Sequence, residues 1–399
     1  MQQKQLNRTF LIVLLGILAA IGPFTIDMYL PGFKQIAADF GTSEKQVAFT
    51  LTSYFFGIAV GQLVYGPLVD KYGRKKPLLI GLGIYVIAAL GCALSTAIES
   101  LIVMRLLQAL GGCVGMVASN AIISDVYEED KRARAFSMIM LVMGVAPVIA
   151  PTVGSLFLEA GSWKFIFYFL AFFAAFVAVL IMLFLPETSQ FMHKNKLKVS
   201  EISKEYLTIL KNPTFLFYTL ASSIALAILF AYITSASFVF QTYYGLDKDK
   251  FAIIFAINAG ALILGNVLNG MIVGKFNYIK LAKMASIAIS LVSLVVMVIF
   301  MTNPGLPYQA AVVGLIAILL LINFINPNAT AASLAPFTAT AGAASALGGA
   351  IRMGVGAVVA AAIGIFQGET VVTMFVVMFI LAFLVMVMLV IAPVVGKKR

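Results

Sequence analysis

Charged residues are scarce in this chain of 399 residues. Asp, Glu, Lys and Arg make up 11% of it, whereas apolar residues make up 62%. A soluble globular domain is about 25% charged and roughly 45–50% apolar, so an ordinary soluble domain is excluded. Two cysteines and one histidine are also too few for a disulfide framework or a clustered metal site, and no cofactor is expected.

Long apolar stretches occupy most of the chain. A helix of about 20 predominantly apolar residues crosses the hydrocarbon core of a bilayer. Such stretches are predicted at 9–31, 46–69, 76–97, 100–124, 134–158, 163–185, 213–240, 250–274, 279–301, 305–328, 342–366 and 369–392. We therefore expect an all-α integral membrane protein with twelve transmembrane helices and no room for a sizeable soluble domain.

The predicted helices fall into two halves. The longest polar stretch, 187–212, separates residues 1–186 from 213–399, which predicts two six-helix bundles joined by a cytoplasmic linker. Gly61–Tyr72 in the first half aligns with Gly265–Phe276 in the second, at the same end of the second helix of each half. Repeats of this kind place a substrate site near the bilayer midplane, between the two halves.

Basic residues are unevenly distributed along the chain, whose net charge is +11. On one side of the predicted membrane, the loops hold only Lys34, Lys45, Lys164, Lys248 and Lys250. Apart from two arginines inside the spans, the other basic residues lie in the terminal segments and in the loops of the opposite side. This positive-inside bias predicts cytoplasmic termini and contact with anionic lipid. It also explains the net positive charge without any need for nucleic-acid binding.

Three ionisable residues lie at membrane depth, where a charge costs several kcal/mol: Asp27, Arg105 and Arg352. Asp27 stands between Pro23 and Pro31, which remove backbone donors and loosen the helix. A buried carboxyl can bind and release a proton during transport, because burial disfavours its charged form. The alternative is a permanently paired, structural Asp27. Arg105 fits either a partner of Asp27 or a scaffold bonded to backbone carbonyls.

Arg352 also has two interpretations. In the central cavity it would repel cationic compounds, whereas early in its span it could extend to the cytoplasmic face. Candidates for the substrate pocket are polar, aromatic and methionine side chains at comparable depth, namely Asp27, Tyr54, Asn120, Met143, Tyr232, Phe238, Asn258, Asn326 and Arg352. The aromatic and methionine residues also fit plain packing roles.

The loop 66–77 contains a spaced pattern of glycines and charges. Gly66 and Asp70 precede Gly73, which permits a tight turn, and Arg74, which can pair with a carboxylate. This spacing favours a gating latch over a simple topology signal.

The fifth predicted span contains Gly144, Pro147, Pro151 and Gly154. Paired prolines and glycines are typical of a helix that can bend and that packs closely on a neighbour. The pattern predicts a gating element, although a simple bend would have the same composition.

These motifs resemble those of the major facilitator superfamily. The loop 66–76 is similar to its cytoplasmic signature, 105–112 to its fourth-helix motif, and 144–154 to the fifth-helix motif of antiporters. With Ile26–Pro31, the chain looks like the Bcr/CflA group of drug exporters. Ala109 departs from that pattern by replacing a glycine, and Arg352 by replacing an uncharged amide.

The resemblance implies an alternating-access drug:proton antiporter of the major facilitator fold. Asp27 would transfer the proton and Arg105 would influence its protonation, while small, largely apolar compounds leave the cell. We expect a monomer in the bacterial cytoplasmic (inner) membrane, with no enzymatic activity.

The alternative within the same class is an exporter or proton symporter of a specific metabolite. A multipass membrane enzyme is disfavoured because no cluster of nucleophiles or metal ligands is present. A primary pump is disfavoured because the phosphate-binding Gly-x-x-x-x-Gly-Lys-Ser/Thr loop is missing. A receptor or scaffold would show no ligand-driven flux in vesicles.

Overall fold

The computed structural model describes residues 8–127, 129–189, 199–273, 275–337, 340–366 and 370–392, and all regular secondary structure in these ranges is helical. The α-helices are α1 (Arg8–Asp27), α2 (Phe33–Asp39), α3 (Glu44–Tyr72), α4 (Lys75–Ala93), α5 (Ile98–Val126), α6 (Glu129–Glu159), α7 (Lys164–Phe184), α8 (Val199–Leu210), α9 (Pro213–Ser237), α10 (Lys248–Val273), α11 (Tyr278–Thr302), α12 (Tyr308–Ile322), α13 (Asn326–Leu334), α14 (Ala341–Phe366) and α15 (Val371–Ile391). A 3-10 turn, Leu30–Gly32, precedes α2, and a π-helical turn, Phe238–Tyr243, follows α9.

Twelve helical stretches within the described ranges are long and apolar enough to cross a membrane. They are Phe10–Asp39, Glu44–Tyr72, Lys75–Ala93, Ile98–Val126, Val142–Glu159, Lys164–Phe184, Pro213–Tyr243, Lys248–Val273, Tyr278–Thr302, Tyr308–Leu334, Gly342–Ile365 and Val371–Ile391. The predicted all-α fold with twelve membrane-spanning helices is confirmed. The predicted start of the last span, residue 369, lies outside the described residues.

The first span extends beyond its predicted end at residue 31. Pro31 has no N–H to donate to the Asp27 carbonyl, so α1 ends at Asp27 and a 3-10 turn follows. The helix then resumes as α2, which ends at Asp39. The sequence prediction therefore ended the span too early.

The chain divides into two compact units. The first unit comprises Met1–Thr42 and Ser53–Ile202, and the second comprises Ser43–Thr52 and Ser203–Arg399. Most of α3 therefore belongs to the first unit, while its beginning belongs to the second. Of the predicted linker, residues 190–198 lie outside the described ranges, and α8 occupies most of the remainder.

Glycines bring neighbouring helices into close contact in both units. In the first, a Cβ at Gly81 of α4 would lie 2.8 Å from the Gly111 carbonyl oxygen of α5. In the second, a Cβ at Gly265 of α10 would overlap the Leu320 carbonyl oxygen of α12. Because backbone atoms cannot yield to a side chain, these contacts require glycine and set the register of the helices that position the site.

The span Tyr308–Leu334 is also interrupted, between α12 and α13. Pro327 cannot donate to the Asn323 carbonyl, which removes one helical hydrogen bond at the interruption. The Asn323 side chain lies at the same point and donates from Nδ2 to the carbonyl oxygens of Leu262, at 3.0 Å, and Leu319, at 3.2 Å. Its amide thus ties the interruption to α10.

Candidate functional site

Asp27 lies at the interruption of the first span. It is the last residue of α1 and is only 4% exposed. Its Oδ1 has no hydrogen-bond partner among the described residues. The C-terminal end of a helix has partial negative charge, so the helix supplies no favourable field for a carboxylate here. Asp27 therefore differs from a carboxylate held in a fixed salt bridge.

Gly154 of α6 packs directly on this interruption. A Cβ at Gly154 would overlap the Met28 carbonyl oxygen, which follows Asp27 in the chain. Gly32, in the 3-10 turn, meets the same helix, since its Cβ position lies 3.2 Å from Leu158 Cδ2. The last glycine of the fifth-span pattern thus lets α6 cover the backbone next to Asp27.

The rest of the fifth-span pattern lies inside one continuous helix. Gly144, Pro147 and Pro151 all belong to α6, which remains helical through both prolines. Pro151 is buried, and the other two residues are half-buried. A bending role for these residues stays a prediction.

Arg105 of α5 is fully buried between aromatic rings. Its guanidinium carbon lies 4.4 Å from the centroids of both the Tyr29 and the Tyr54 rings, and 5.7 Å from that of Phe167. Cation–π contacts of this kind are worth about 0.5–1 kcal/mol when exposed and about 2 or more when desolvated. The rings therefore partly replace the water that the cation has lost.

The hydrogen bonding of Arg105 is incomplete. Its Nη1 donates to Gln108 Oε1 at 2.8 Å, on the same helix, but Nε and Nη2 have no partner among the described residues. No ion pair joins Arg105 to Asp27 in the described part of the chain. Asp27 and Arg105 thus each keep buried polar atoms unpaired. Neither predicted role of Arg105, as the partner of Asp27 or as a scaffold bonded to backbone carbonyls, is seen in these contacts.

Ala109, which departs from the fourth-helix motif, faces a glycine. A Cβ at Gly57 of α3 would lie 2.7 Å from the Ala109 Cβ and 2.8 Å from the Leu106 carbonyl oxygen. The extra methyl of Ala109 is therefore accommodated by the missing side chain on α3. The departure preserves the close approach of α3 and α5, so it gives no reason to doubt the motif.

A buried hydroxyl pair that sequence reasoning missed includes Thr25, two residues before Asp27. Thr25 Oγ1 and Tyr85 OH lie 2.6 Å apart, which joins α1 to α4. The ring of Tyr85 lies against Gly112, whose Cβ position is 3.0 Å from Tyr85 Cδ2. Hydroxyl-bearing residues in apolar helices resemble packing residues, so no sequence signal identifies this pair.

The predicted latch residues of the loop between α3 and α4 do meet. Arg74 donates to both oxygens of Asp125, from Nε at 2.9 Å and from Nη2 at 3.3 Å. Its Nη1 donates to Asp70 Oδ1 at 2.7 Å and to the Val69 carbonyl at 2.8 Å. Burial alone would lower the pKa of Arg74, but the hydrogen bonds and charges of Asp125 and Asp70 raise it above its ordinary value. Gly66 lies half-buried in α3 before this loop.

Glu187 completes the latch and was not predicted. Its carboxylate accepts the backbone N–H of Arg74 at 2.8 Å and of Lys75 at 3.1 Å, which caps the first turn of α4. Gly73 has φ +82°, and a Cβ there would overlap this carboxylate. Gly73 is therefore required both by its backbone conformation and by the space that Glu187 occupies. Thr188 adds a hydrogen bond to Asp125 Oδ2 at 3.2 Å.

The far end of the first span is fixed by the only tryptophan of the chain. Trp163 Nε1 donates to Asp39 Oδ2 at 2.7 Å, and its backbone N–H donates to Gln35 Oε1 at 3.1 Å. Both acceptors lie in α2. Helix α2, which follows the interruption, is thus tied to the loop that precedes α7. Helix α1 precedes the interruption and ends at Asp27.

Candidate pocket residues of the second unit form hydrogen bonds with neutral side chains. Asn258 is fully buried and its Nδ2 donates to the Tyr232 hydroxyl at 3.1 Å, whereas its Oδ1 lacks a partner among the described residues. Asn326 begins α13 and its Oδ1 accepts from Thr330 at 3.4 Å. Phe238 begins the π-helical turn after α9 and is half-buried.

Two other candidates lie in the first unit. Asn120 of α5 is exposed, and its carbonyl accepts a hydrogen bond from Ser124 at 3.0 Å. Met143 of α6 is half-buried. Tyr54, another pocket candidate, packs against Arg105. A substrate role for all of these candidates stays a prediction.

A polytopic membrane protein of the transporter class accounts for these features together, namely twelve spans, two helical units, a charged latch in a loop and buried ionisable groups. The sequence profile of the Major Facilitator Superfamily matches residues 14–354. The chain belongs to this superfamily.

Individual relatives agree with this assignment. The chain is 33% identical over 367 residues to an "uncharacterized MFS-type transporter YdgK" of Bacillus subtilis, covering 92% of this chain and 91% of the relative. It is 31% identical over 376 residues to a "bicyclomycin resistance protein homolog" of Haemophilus influenzae, covering 94% of each. A "multidrug resistance protein MdtL" of Escherichia coli is 30% identical over 61% of each chain.

The fold is shared with solved transporters at low identity. The crystal structure of a D-xylose–proton symporter has a TM-score of 0.78 at 15% identity, covering 97% of this chain and 98% of the other. At that identity the likeness shows the fold alone.

Proposed function

We propose that the protein is a proton-coupled multidrug efflux transporter that exports small, largely apolar compounds by alternating access. The observation on which this rests is Asp27, a buried carboxyl at a helix interruption with one oxygen unpaired. Membership of the superfamily and relatives named for bicyclomycin and multidrug resistance support export of drug-like compounds.

Asp27 is the proposed proton carrier. Without a salt bridge to hold it ionised, its carboxyl can gain a proton from the outer side and lose one to the cytoplasm. The interruption of the first span leaves α1 and α2 on either side of it, so movement of one segment need not displace the other. Changes around Asp27 can therefore accompany the exchange of drug for proton.

Arg105 is the proposed partner that senses the charge of Asp27. Its Nε and Nη2 remain open donors within a desolvated site. A negative carboxylate, a carbonyl oxygen of a substrate or a water molecule can each satisfy them, but only the carboxylate changes with proton binding. Arg105 thereby couples the protonation of Asp27 to the packing of Tyr29 and Tyr54.

The latch around Arg74 is the proposed conformational gate. Four side chains, Asp70, Arg74, Asp125 and Glu187, connect the α3–α4 loop to the ends of α5 and α7. The charged contacts are partly shielded from water, with side-chain exposures of 12% for Arg74 and 18% for Asp125. Opening the latch would expose the first turn of α4, so the latch sets the rate of exchange rather than the affinity for substrate.

The orientation follows from the charge distribution. We place both termini and the α3–α4 loop in the cytoplasm, in the bacterial cytoplasmic membrane, because the basic loops lie on that side. The transporter is proposed to act as a monomer, with residues 1–186 and 213–399 as its two bundles.

Everted membrane vesicles test this function. After respiration acidifies the lumen, addition of bicyclomycin should partly dissipate the pH gradient and radiolabelled bicyclomycin should accumulate, each only when the protein is present. A growth-inhibition panel in a pump-deficient host would extend the list of substrates. Drug accumulation that persists after a protonophore collapses the gradient would contradict proton coupling.

A further inference from the structure

Arg352 lies near the middle of the 24-residue span Gly342–Ile365. The other described Lys and Arg residues of the second unit lie in α8, in loops or near the ends of spans. A cation at this depth costs several kcal/mol unless it is paired or reaches water, so its surroundings decide its role.

The guanidinium of Arg352 has no partner in the part of the chain that the structure describes. No ion pair or hydrogen bond is formed by it, yet the side chain is half-buried. Its nitrogens are not enclosed, because they are absent from the buried polar atoms that lack partners. The Arg352 donors therefore keep some accessible surface and are free to bind an external acceptor.

The side chain extends back along its own helix towards the cytoplasmic end of the span, in the proposed orientation. Its Nη1 lies 3.4 Å from the Cβ position of Gly348, which is also 3.8 Å from the ring of Phe215. Gly348 has space for the guanidinium because it has no side chain. Gly348 follows the start of the span by about 9 Å at 1.5 Å per residue, so the charge remains below the membrane surface.

The face of α14 that bears Arg352 differs from the face that carries its most exposed apolar residues. Val358 and Ile365 are 69% and 63% exposed and lie seven residues apart, which marks one apolar stripe. Arg352 and the exposed Ser345 are also seven residues apart, but they lie roughly 120° around the helix from that stripe. A polar pair on a separate face indicates contact with water rather than with acyl chains.

We propose that Arg352 binds an anionic oxygen group of the transported compound, so that the transporter favours carboxylate-bearing compounds over cations of the same size. This inference rests on the proposed function and names the substrate class. The guanidinium provides planar paired donors that match a carboxylate. A lipid phosphate has the same chemistry, so the test must separate the two sources.

Two dyes with one scaffold test the proposal, fluorescein as the anion and rhodamine 6G as the cation. Binding to purified protein is measured by fluorescence anisotropy in a non-ionic detergent, without lipid. We expect Arg352→Gln to weaken fluorescein binding by roughly tenfold, the loss of one charge-assisted hydrogen bond, and to leave or improve rhodamine binding. Arg352→Lys should restore part of the fluorescein affinity.

The matched control is Lys280→Gln, which removes the same charge from an exposed position at the beginning of α11. It should leave the binding of both dyes unchanged. Equal fluorescein affinity of the wild-type protein and the Arg352→Gln variant would overturn the proposal. So would a loss that appears only in vesicles containing phosphatidylglycerol and affects both dyes equally, since that result would identify lipid phosphate as the ligand.

Flux in proteoliposomes separates this inference from the proposed function. Export of rhodamine by a wild-type protein that does not bind fluorescein would overturn the substrate class and leave drug export standing. Arg352-dependent binding of fluorescein by a wild-type protein that transports neither dye would support the anion site and count against the proposed function.

Discussion

The two helical units bury different kinds of polar chemistry. The first unit contains Asp27, with one unpaired carboxyl oxygen, and Arg105, which lies between tyrosine rings. Buried side-chain hydrogen bonds of the second unit join neutral groups, as where Asn328 Nδ2 donates to Asn269 Oδ1 at 2.8 Å. A neutral amide pair does not change with pH. From this difference we expect proton-dependent behaviour to be concentrated in the first unit.

The equivalent loops of the two units differ in the same sense. In the first, α4 is capped by Glu187, which lies 113 residues away from Arg74 in the chain. In the second, α11 is capped locally by Asn277, whose Oδ1 accepts from Ile279 at 2.9 Å and Lys280 at 3.1 Å. A local cap persists whatever the neighbouring helices do, whereas a distant cap can open. Gating is therefore expected at the first loop alone.

The largest effect is expected from Gly154→Ala, which places a methyl group against the Met28 carbonyl beside Asp27. Overpacking of this kind costs about 1–3 kcal/mol, and here it would also displace α6 from the helix interruption. The unfolding temperature in detergent and the drug flux in vesicles should both decrease. The matched control in the second unit is Gly260→Ala, because no atom lies within 4 Å of that Cβ position. Similar losses in the two variants would remove the distinction between the units.

A smaller effect is expected from substituting each of the two capping residues in turn. Glu187→Gln keeps an acceptor but removes its charge. Turnover should change by roughly tenfold, which corresponds to about 1.4 kcal/mol in the transport barrier. Substrate affinity should change little. Asn277→Ala should instead lower stability by about 1 kcal/mol and leave turnover unchanged, as for the loss of an ordinary helix cap. Stopped-flow transport together with equilibrium binding distinguishes these outcomes. A turnover defect in Asn277→Ala of the same size would show that both loops gate.

The smallest effect on transport is expected for the amide pair of the second unit. Asn328→Leu alone leaves Asn269 without its partner and should cost about 1–3 kcal/mol, whereas the double replacement with Asn269→Leu should recover most of that loss. Neither variant should shift the pH profile of transport, because neither removes a titrating group. Unfolding curves and flux between pH 6 and 8 provide the measurement, and a shifted profile would extend proton coupling into the second unit.

The parts of the fold that depend on local composition could be predicted from the sequence. The twelve spans are visible as apolar stretches, and Asp27, Arg105 and Arg352 are conspicuous because charges are rare at that depth. The turn at Gly73 and the charges around it likewise predicted a latch. Each of these signals is contained within a few neighbouring residues.

Features that depend on distant partners could not be predicted. Glu187 follows an apolar helix and resembles the start of a linker, and only the folded chain brings it to Arg74. Tyr29 and Tyr54 resemble ordinary packing residues until their ring centroids are found 4.4 Å from the Arg105 guanidinium carbon. The continuation of the first span to Asp39 was missed for a local reason, since a proline can interrupt a helix without ending it.

The most direct test of the account is proton release on drug binding. Purified protein in a weakly buffered detergent solution is mixed with bicyclomycin, and a pH-sensitive dye records protons while radiolabelled drug measures occupancy. The wild-type protein and a variant of the exposed Asp247, Asp247→Asn, are expected to release protons on binding. Asp27→Asn is expected to bind the drug without releasing them. Undiminished proton release by a folded, drug-binding Asp27→Asn protein would contradict Asp27 as the proton carrier.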